Sequence, residues 1–149
     1  MAFTVRSILS PVDFGAGSDH ALETALDLAK ALGATVQLLH VYQIPVYGFP
    51  DGAFLAGPEI ASRLSDAAQK GLDGVVQRIA ARGVTVQGHL RQGNPPDEIC
   101  AVATQLGVDL IVLGTHGRKG IAHALMGSVA ERVVRTSNIP VLSVRTPHD

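Results

Sequence analysis

Short apolar runs rich in β-branched residues alternate along the chain with longer stretches in which apolar residues recur at helical spacing. This alternation is typical of successive β-α-β units, whose parallel strands are covered by helices on both faces. Five runs have the length and composition of strands, namely residues 5–12, 35–42, 84–90, 109–113 and 140–144. We therefore predict an α/β fold with one doubly wound, five-stranded parallel sheet in the strand order 3-2-1-4-5, a Rossmann-like or flavodoxin-like arrangement.

Four amphipathic stretches predict the helices between these strands. Ser18 is the candidate N-cap of the first helix. Residues 58–82 are expected to form the second, a turn at residues 93–96 precedes the third, and Gly127 precedes the fourth. The first three helices are expected to end at glycines, which are Gly33, Gly83 and Gly107. The apolar positions expected to face inward in the two short helices are Ile99, Ala103 and Leu106, and then Val129, Ala130, Val133 and Val134.

The composition agrees with one domain over residues 1–149. Of the 149 residues 46% are hydrophobic, and a chain of this length can bury a core without disulfides or a structural metal. The single cysteine, Cys100, excludes an internal disulfide. Twelve Lys and Arg against thirteen Asp and Glu exclude the general positive charge of a protein that coats nucleic acid. Because we find neither a signal-peptide pattern nor a bilayer-length apolar run, we expect a cytoplasmic protein with no membrane or nucleic-acid partner.

Residues 114–128 form the most unusual segment, because they hold four of the sixteen glycines between a buried strand and a helix. Glycine permits positive φ and close approach, so backbone N–H groups in such a segment can converge on an anion. The helix that opens at Gly127 and Ser128 directs the free N–H groups of its first turn at the same space. Arg118 and Lys119 add positive charge nearby. The alternative is a connection that needs glycine only for its flexibility.

Asp13 follows the first strand at an edge of the sheet where ligands commonly bind. In open parallel sheets they bind outside the carboxyl ends of the strands, where the strand order reverses. If the first and fourth strands are neighbours, Asp13 and Gly114 meet at that crevice. The carboxylate of Asp13 is then able to accept hydrogen bonds from ribose hydroxyls or an adenine amino group.

The glycine spacing resembles that of a known family. Gly114-x-x-Gly117, nine residues and then Gly127-Ser128 form the pattern G-x2-G-x9-G-[S/T], which is similar to that of the universal stress protein family in its ATP-binding branch. The resemblance extends from the Pro-Val-Asp-Phe near the start to the final Ile-Pro-Val-Leu-Ser-Val strand. It implies a five-stranded parallel sheet, a homodimer, and ATP held between the ends of strands one, two and four. Mg²⁺ is expected only as the ion that ATP carries.

The resemblance also implies roles for individual residues. Asp13 is expected to contact the ribose or the base, the backbone of Val41 the adenine, and Gly127 the phosphates. The full set of cofactor-binding residues that we predict is Pro11, Val12, Asp13, Val41, Leu113, Gly114, His116, Gly117, Arg118, Gly127, Ser128 and Val129. We assign no catalytic residue and no metal ligand.

Other nucleotide and metal motifs do not occur. Residues 15–17 have the start of a dinucleotide fingerprint, but the third glycine is missing, so a plain turn is the simpler interpretation. The pattern G-x4-G-K-[ST] of the P-loop does not occur, and the end of the third strand, Leu90-Arg91-Gln92, lacks the acceptor aspartate of a receiver domain. The six histidines and the cysteine show no zinc-ligand spacing.

Three functions remain open at this point. The first is a nucleotide-responsive stress or signalling module whose conformation or dimer surface is read by a protein partner. The second is a slow ATPase or phosphotransferase, although only Asp13 is an acid that we place at the site. The third is a nucleotide-independent interaction domain in which Leu125 and Met126 close the glycine segment. A homodimer is expected through the edge strand at residues 141–144. The aromatic segment 42–54 is packed on the sheet, or it is a partner surface or a lid over the nucleotide.

Overall fold

Strands and helices alternate along the part of the chain that the computed structural model describes, residues 2–44, 57–115 and 127–146. The strands are β1 (Ser7–Pro11), β2 (Thr35–Tyr42), β3 (Val86–Gln92), β4 (Leu110–Gly114) and β5 (Val141–Val144). The helices are α1 (Ala16–Leu32), α2 (Pro58–Ala81), α3 (Pro95–Leu106) and α4 (Ser128–Thr136).

The five strands form one parallel sheet in the order β3-β2-β1-β4-β5, which confirms the predicted fold class and strand order. β1 pairs with β2 on one side, where Ser7 is opposite Thr35, and with β4 on the other, where Ile8 is opposite Leu110. β2 and β3 are therefore added on one side of β1, and β4 and β5 on the other, so the strand order reverses between β1 and β4. In sheets of this kind the crevice at the reversal is where ligands bind.

Two hydrophobic layers cover the sheet. One contains Ile8 of β1 and Val12, just after it, together with residues of α1 and α2, and the other contains Leu9 together with residues of α3 and α4. Because side chains alternate across a strand, β1 contributes side chains to both layers, and its residues 8–10 are fully buried. Ser10 is thus a polar side chain in the middle of the core.

The start of α1 differs from the prediction. The N-cap is Gly15 rather than Ser18, and no side chain caps the helix. The hydroxyl oxygen of Ser18 instead accepts a hydrogen bond from the backbone N–H of Asp13, at 3.0 Å. The helix begins earlier than expected because the chain turns directly after β1, where the Asp13 carboxylate accepts a hydrogen bond from the N–H of Gly15.

The inward faces of α3 and α4 are narrower than predicted. Ile99, Ala103, Ala130 and Val133 are buried, but Leu106 is 37% exposed and Val134 is 46% exposed. Both exceptions have a simple cause, since Leu106 is the last residue of α3 and the short α4 buries only one stripe against the sheet. Gly33 and Gly107 end their helices with φ of 67° and 62°, as predicted.

Candidate functional site

A cavity of about 210 Å³ lies at the carboxyl ends of β1, β2 and β4. Of the twelve residues predicted to bind a cofactor, nine line it, and these are Pro11, Val12, Asp13, Val41, Leu113, Gly114, Gly127, Ser128 and Val129. The other three, His116, Gly117 and Arg118, lie outside the described residues. The structure therefore brings together residues that are more than a hundred positions apart in the sequence.

The turn after β1, residues 11–15, brings a carboxylate to the cavity. We call it the Asp13 turn. Its start is held by a hydrogen bond from the N–H of Val12 to the carbonyl oxygen of Leu39, at 2.8 Å. Oδ1 of Asp13 accepts from the N–H of Gly15 at 2.8 Å, and the N–H of Asp13 donates to Oγ of Ser18. The bond to Gly15 uses one acceptor position of Oδ1, so Oδ2 and the other carboxylate lone pairs are able to accept from a ligand hydroxyl or amino group.

Gly114, at the end of β4, lies directly against the first turn of α1. A Cβ added at Gly114 would be 2.8 Å from the carbonyl oxygen of Gly17 and 3.1 Å from its carbonyl carbon. Carbon atoms of this kind do not approach backbone so closely without displacement. Glycine at this position is therefore what allows α1 and β4 to meet beside the cavity.

Thr115 joins both ends of the glycine segment to the sheet. Its N–H donates to the carbonyl oxygen of Val144 at 3.0 Å, which extends the pairing of β4 with β5. Its carbonyl oxygen accepts a hydrogen bond from the N–H of Gly127, the N-cap of α4. Thr115 and Gly127, the described residues on either side of 116–126, are thus hydrogen-bonded to each other beside the cavity.

The N-terminus of α4 faces the cavity, since Gly127, Ser128, Val129 and Ala130 all line it. Among the described residues no side chain caps this helix, and Ser128 is exposed. The first N–H groups of an α-helix have no acceptor within the helix, and the helix dipole makes this end positive. The arrangement is suited to a phosphate or another anion.

Part of the cavity lining is apolar and comes from α3 and β2. Pro95 and Ile99 of α3 line it together with Leu39 and Val41 of β2. Asn94 begins α3 and accepts a hydrogen bond from the N–H of Asp97. Apolar side chains of this kind suit the face of a planar base or another flat, weakly polar group.

Six of the lining residues are not among those predicted from the sequence, namely Ser18, Leu39, Pro95, Ile99, Thr115 and Ala130. A signal for α3 was available, because a helix that follows β3 in a parallel sheet begins at the same edge as the ends of β1 and β4. That argument would have added Pro95. The sequence contains no signal for Ser18, because its position indicates an N-cap. In the structure its hydroxyl oxygen accepts a hydrogen bond from the N–H of Asp13.

The only ionisable side chain among the described lining residues is Asp13. Positive potential in this part of the site therefore comes from helix N-termini, and the cations Arg118 and Lys119 belong to the segment that is not described. Residues 2–44, 57–115 and 127–146 contain no group of three or more His, Cys, Asp or Glu able to hold a metal. Among the described helices, none has the length and apolar character needed to cross a bilayer.

His40 lies beside the Asp13 turn, and its Nδ1 is 2.8 Å from the carbonyl oxygen of Val12. Of the aromatic segment, Tyr42 is the last residue of β2, whereas Tyr47, Phe49 and Phe54 fall outside the described residues. Whether that segment packs on the sheet stays a prediction.

Comparison with known sequences gives a match over nearly the whole chain. The sequence model of the Universal stress protein family matches residues 4–145. Universal stress protein MJ0531 of Methanocaldococcus jannaschii is 35% identical over 147 residues, which cover 95% of this chain and 83% of that protein.

Solved structures share the fold over a similar length. The structure of hypothetical protein MJ0577, from the same organism, has a TM-score of 0.79 at 28% identity and covers 98% of this chain and 99% of its own. A universal stress protein solved in complex with cAMP has a TM-score of 0.69 at 26% identity, over 97% of this chain and 99% of its own. Because the family match extends through every described strand and helix, the chain belongs to the universal stress protein family.

Proposed function

We propose that this protein binds an adenine nucleotide, ATP carrying Mg²⁺, in the cavity at the carboxyl ends of β1, β2 and β4, and acts as a nucleotide-responsive stress or signalling module. The observation that carries the proposal is that three kinds of chemical group line one cavity. An apolar side formed by Val41 and Ile99, the carboxylate of Asp13, and the N-terminus of α4 all line the same space. A base, a ribose and phosphates present the same three chemistries.

Each part of the nucleotide then has an assigned partner. The base lies against the apolar side, with the backbone of Val41 as its polar contact. Oδ2 of Asp13 accepts from a ribose hydroxyl, and the amides at the start of α4 bind phosphate oxygens. His116 and Gly117 are assigned to the phosphates from the family resemblance, and Arg118 adds positive charge nearby. Mg²⁺ is expected to arrive with the phosphates.

Related proteins support an adenine nucleotide as the ligand class. The universal stress protein solved in complex with cAMP is 26% identical and has the same fold over 97% of this chain. The spacing of Gly114, Gly117 and Gly127 is that of the ATP-binding branch, which favours a ligand with more phosphates.

Binding is favoured over turnover by the chemistry of the described lining. Phosphoryl transfer needs a positioned nucleophile and positive charge on the transferred group. Asp13 is the single ionisable residue of that lining, and one of its oxygens is already bonded to Gly15. A module that reports its nucleotide state by shape fits this composition better than an ATPase.

The output of the module is proposed to pass through Thr115. This residue lines the cavity, accepts from Gly127 and donates to Val144 of β5. Because β5 is an edge strand, a change in the glycine segment reaches the surface at residues 141–144, where we propose the homodimer contact. A protein partner is then able to read the dimer surface.

The test is calorimetric titration of the nucleotide-stripped protein with Mg-ATP, together with the variants Ser128→Asp and Ser128→Asn. A negative charge at the start of α4 repels phosphate, so Ser128→Asp is expected to weaken ATP binding by about tenfold or more. The same charge favours the helix dipole, so thermal stability is expected to hold or rise slightly. Ser128→Asn introduces a side chain of the same size as aspartate but without its charge. Its ATP affinity is expected to lie within about threefold of that of the unsubstituted protein.

Two outcomes would contradict the proposal. One is no heat of binding with the unsubstituted protein and ATP, ADP, AMP or cAMP. The other is equal affinity in Ser128→Asp and Ser128→Asn, which would remove the phosphates from the start of α4. Released phosphate is assayed in the same samples. Sustained ATP turnover by the unsubstituted protein, lost in the variant that loses ATP binding, would favour the slow ATPase instead.

A further inference from the structure

Phe14, the residue after Asp13, has an unusual backbone conformation. Its φ is +65°, and no other non-glycine residue in the described ranges has a positive φ. The left-handed region is unfavourable for a bulky side chain, and such residues persist only where surrounding contacts hold them. The Asp13 turn therefore depends on something that holds Phe14 in place.

The ring of Phe14 fits against a helix that lines no described part of the cavity. A Cβ added at Gly71, in the middle of α2, would be 2.9 Å from Cζ of Phe14 and 3.1 Å from Cε2. The ring therefore occupies the space that a side chain at position 71 would need. Gly71 is an unfavourable residue in a helix interior, and the close contact with Phe14 gives it a structural reason.

His40 contacts the same ring and also the residue before Asp13. The ring centroids of Phe14 and His40 are 4.4 Å apart, with their planes inclined by 40°. Nδ1 of His40 lies 2.8 Å from the carbonyl oxygen of Val12, so the imidazole donates its proton to that oxygen. The residues on both sides of Asp13 are thus held by one group of contacts.

We propose that Phe14 is a positioning residue for the nucleotide site. Its ring, held by Gly71 and His40, fixes the Asp13 turn so that Oδ2 of Asp13 is presented to the cavity. No residue of α2 is among the described lining residues, so a change in α2 reaches the site through this ring. The proposal rests on the nucleotide-binding function proposed above and assigns a role to residues that do not contact the ligand.

The test compares alanine at two glycines of α2. In Gly71→Ala the new methyl group displaces the Phe14 ring, and Mg-ATP affinity is expected to fall by about fivefold. Gly74→Ala is the matched control, because it lies in the same helix and nothing is within 4 Å of its added Cβ. Its affinity is expected to stay within about twofold of the unsubstituted protein.

A double-variant cycle shows whether Phe14 transmits the effect. Phe14→Leu lacks the two ring atoms that lie nearest to Gly71, so Gly71→Ala is expected to cause no further loss of affinity in that background. A loss that is the same in both backgrounds would overturn the proposal. So would Gly71→Ala with lowered thermal stability but unchanged affinity, because Phe14 would then be only structural.

Amide NMR shifts of the ligand-free protein give a second readout. We expect the Asp13 and Gly15 signals to move in Gly71→Ala and to stay in place in Gly74→Ala. If the unsubstituted protein binds no nucleotide, the proposed function fails and the role of Phe14 in affinity fails with it. Unmoved amides in a protein that does bind ATP would overturn the positioning role alone, so the two failures are distinguishable.

Discussion

Gly114 and Gly17 lie in backbone contact, with room for no side chain at position 114. The contact holds the first turn of α1 against the end of β4. Since the Asp13 turn runs directly into α1, this approach also sets where Asp13 stands relative to the strand end. The glycine that the ATP-binding pattern shares at position 114 therefore has a packing role of its own.

Gly114→Ala is expected to lower the free energy of unfolding by about 1–3 kcal/mol, because the added methyl group forces backbone apart in a packed region. ATP affinity should fall with it. Urea denaturation measures the first effect and calorimetry the second. Gly74→Ala is the control and is expected to raise the free energy of unfolding by about 0.4–1 kcal/mol, since alanine favours the helix and meets no neighbour. Equal stability in both variants would contradict the contact.

Ser10 is expected to be a site where removing a polar group stabilises the protein. Ser10 is fully buried, and its hydroxyl has no hydrogen-bond partner within residues 2–44, 57–115 and 127–146. An unsatisfied buried hydroxyl is unfavourable, so Ser10→Ala is expected to raise the free energy of unfolding by about 1 kcal/mol. Chemical denaturation measures the change.

Ser137→Ala is the matched control for Ser10→Ala. Oγ of Ser137 donates to the carbonyl oxygen of Ile139 at 2.8 Å and accepts from its N–H at 2.9 Å. Loss of these bonds is expected to lower the free energy of unfolding by about 1 kcal/mol. A loss of stability in Ser10→Ala as large as that in Ser137→Ala would show that the Ser10 hydroxyl is satisfied.

The stability of the protein is expected to depend on pH through His89. Burial lowers the pKa of this side chain below its ordinary value of 6.5, and the charge of Arg91 lowers the pKa further. The unfolded chain therefore takes up this proton at a higher pH than the folded protein does. The contribution of neutral His89 to the free energy of unfolding is therefore fully present above about pH 6.5. It is lost as the pH falls from there through the lower pKa of the folded protein.

His89→Gln measures that dependence. The decrease in the free energy of unfolding between about pH 7.5 and about pH 5.5 is expected to be smaller in this variant than in the unsubstituted protein. Arg91→Gln is a second check, because NMR titration should show that the pKa of His89 rises when the cation is removed. An unchanged pH dependence in His89→Gln would assign the effect to other groups.

The proposed dimer contact at β5 is tested by charge. Leu142 of this edge strand is 38% exposed, and Leu142→Lys would bring like charges together in a symmetric contact. We expect its dimer dissociation constant, measured by analytical ultracentrifugation, to rise by about tenfold or more. Leu106→Lys makes the same change at a leucine that is 37% exposed at the end of α3, and its dimer should be unaffected. Equal dissociation in both variants would place the contact elsewhere.

Predictions from local pattern were accurate where the cause is local. β2 was predicted with its observed bounds, and the glycines at 33 and 107 end their helices as expected. β3 begins two residues later than predicted, at Val86, and Leu106 and Val134 are exposed. Edge strands and short helices bury only part of one face, so their apolar pattern defines the boundaries and inward positions poorly.

The amino-acid sequence by itself determined the alternation of strands and helices and the edge of the sheet at which Asp13, Gly114 and Gly127 lie. These follow from periodicity and from the rule that parallel strands share one carboxyl edge, whereas the order 3-2-1-4-5 was taken from the arrangement common to doubly wound sheets. Only the tertiary structure decided that Ser18 accepts a hydrogen bond from the N–H of Asp13 and that α3 contributes Ile99 to the cavity. It also decided that Phe14 packs against Gly71. These relationships depend on distances between residues that are remote in the chain, and a repeating local pattern contains no information about such distances.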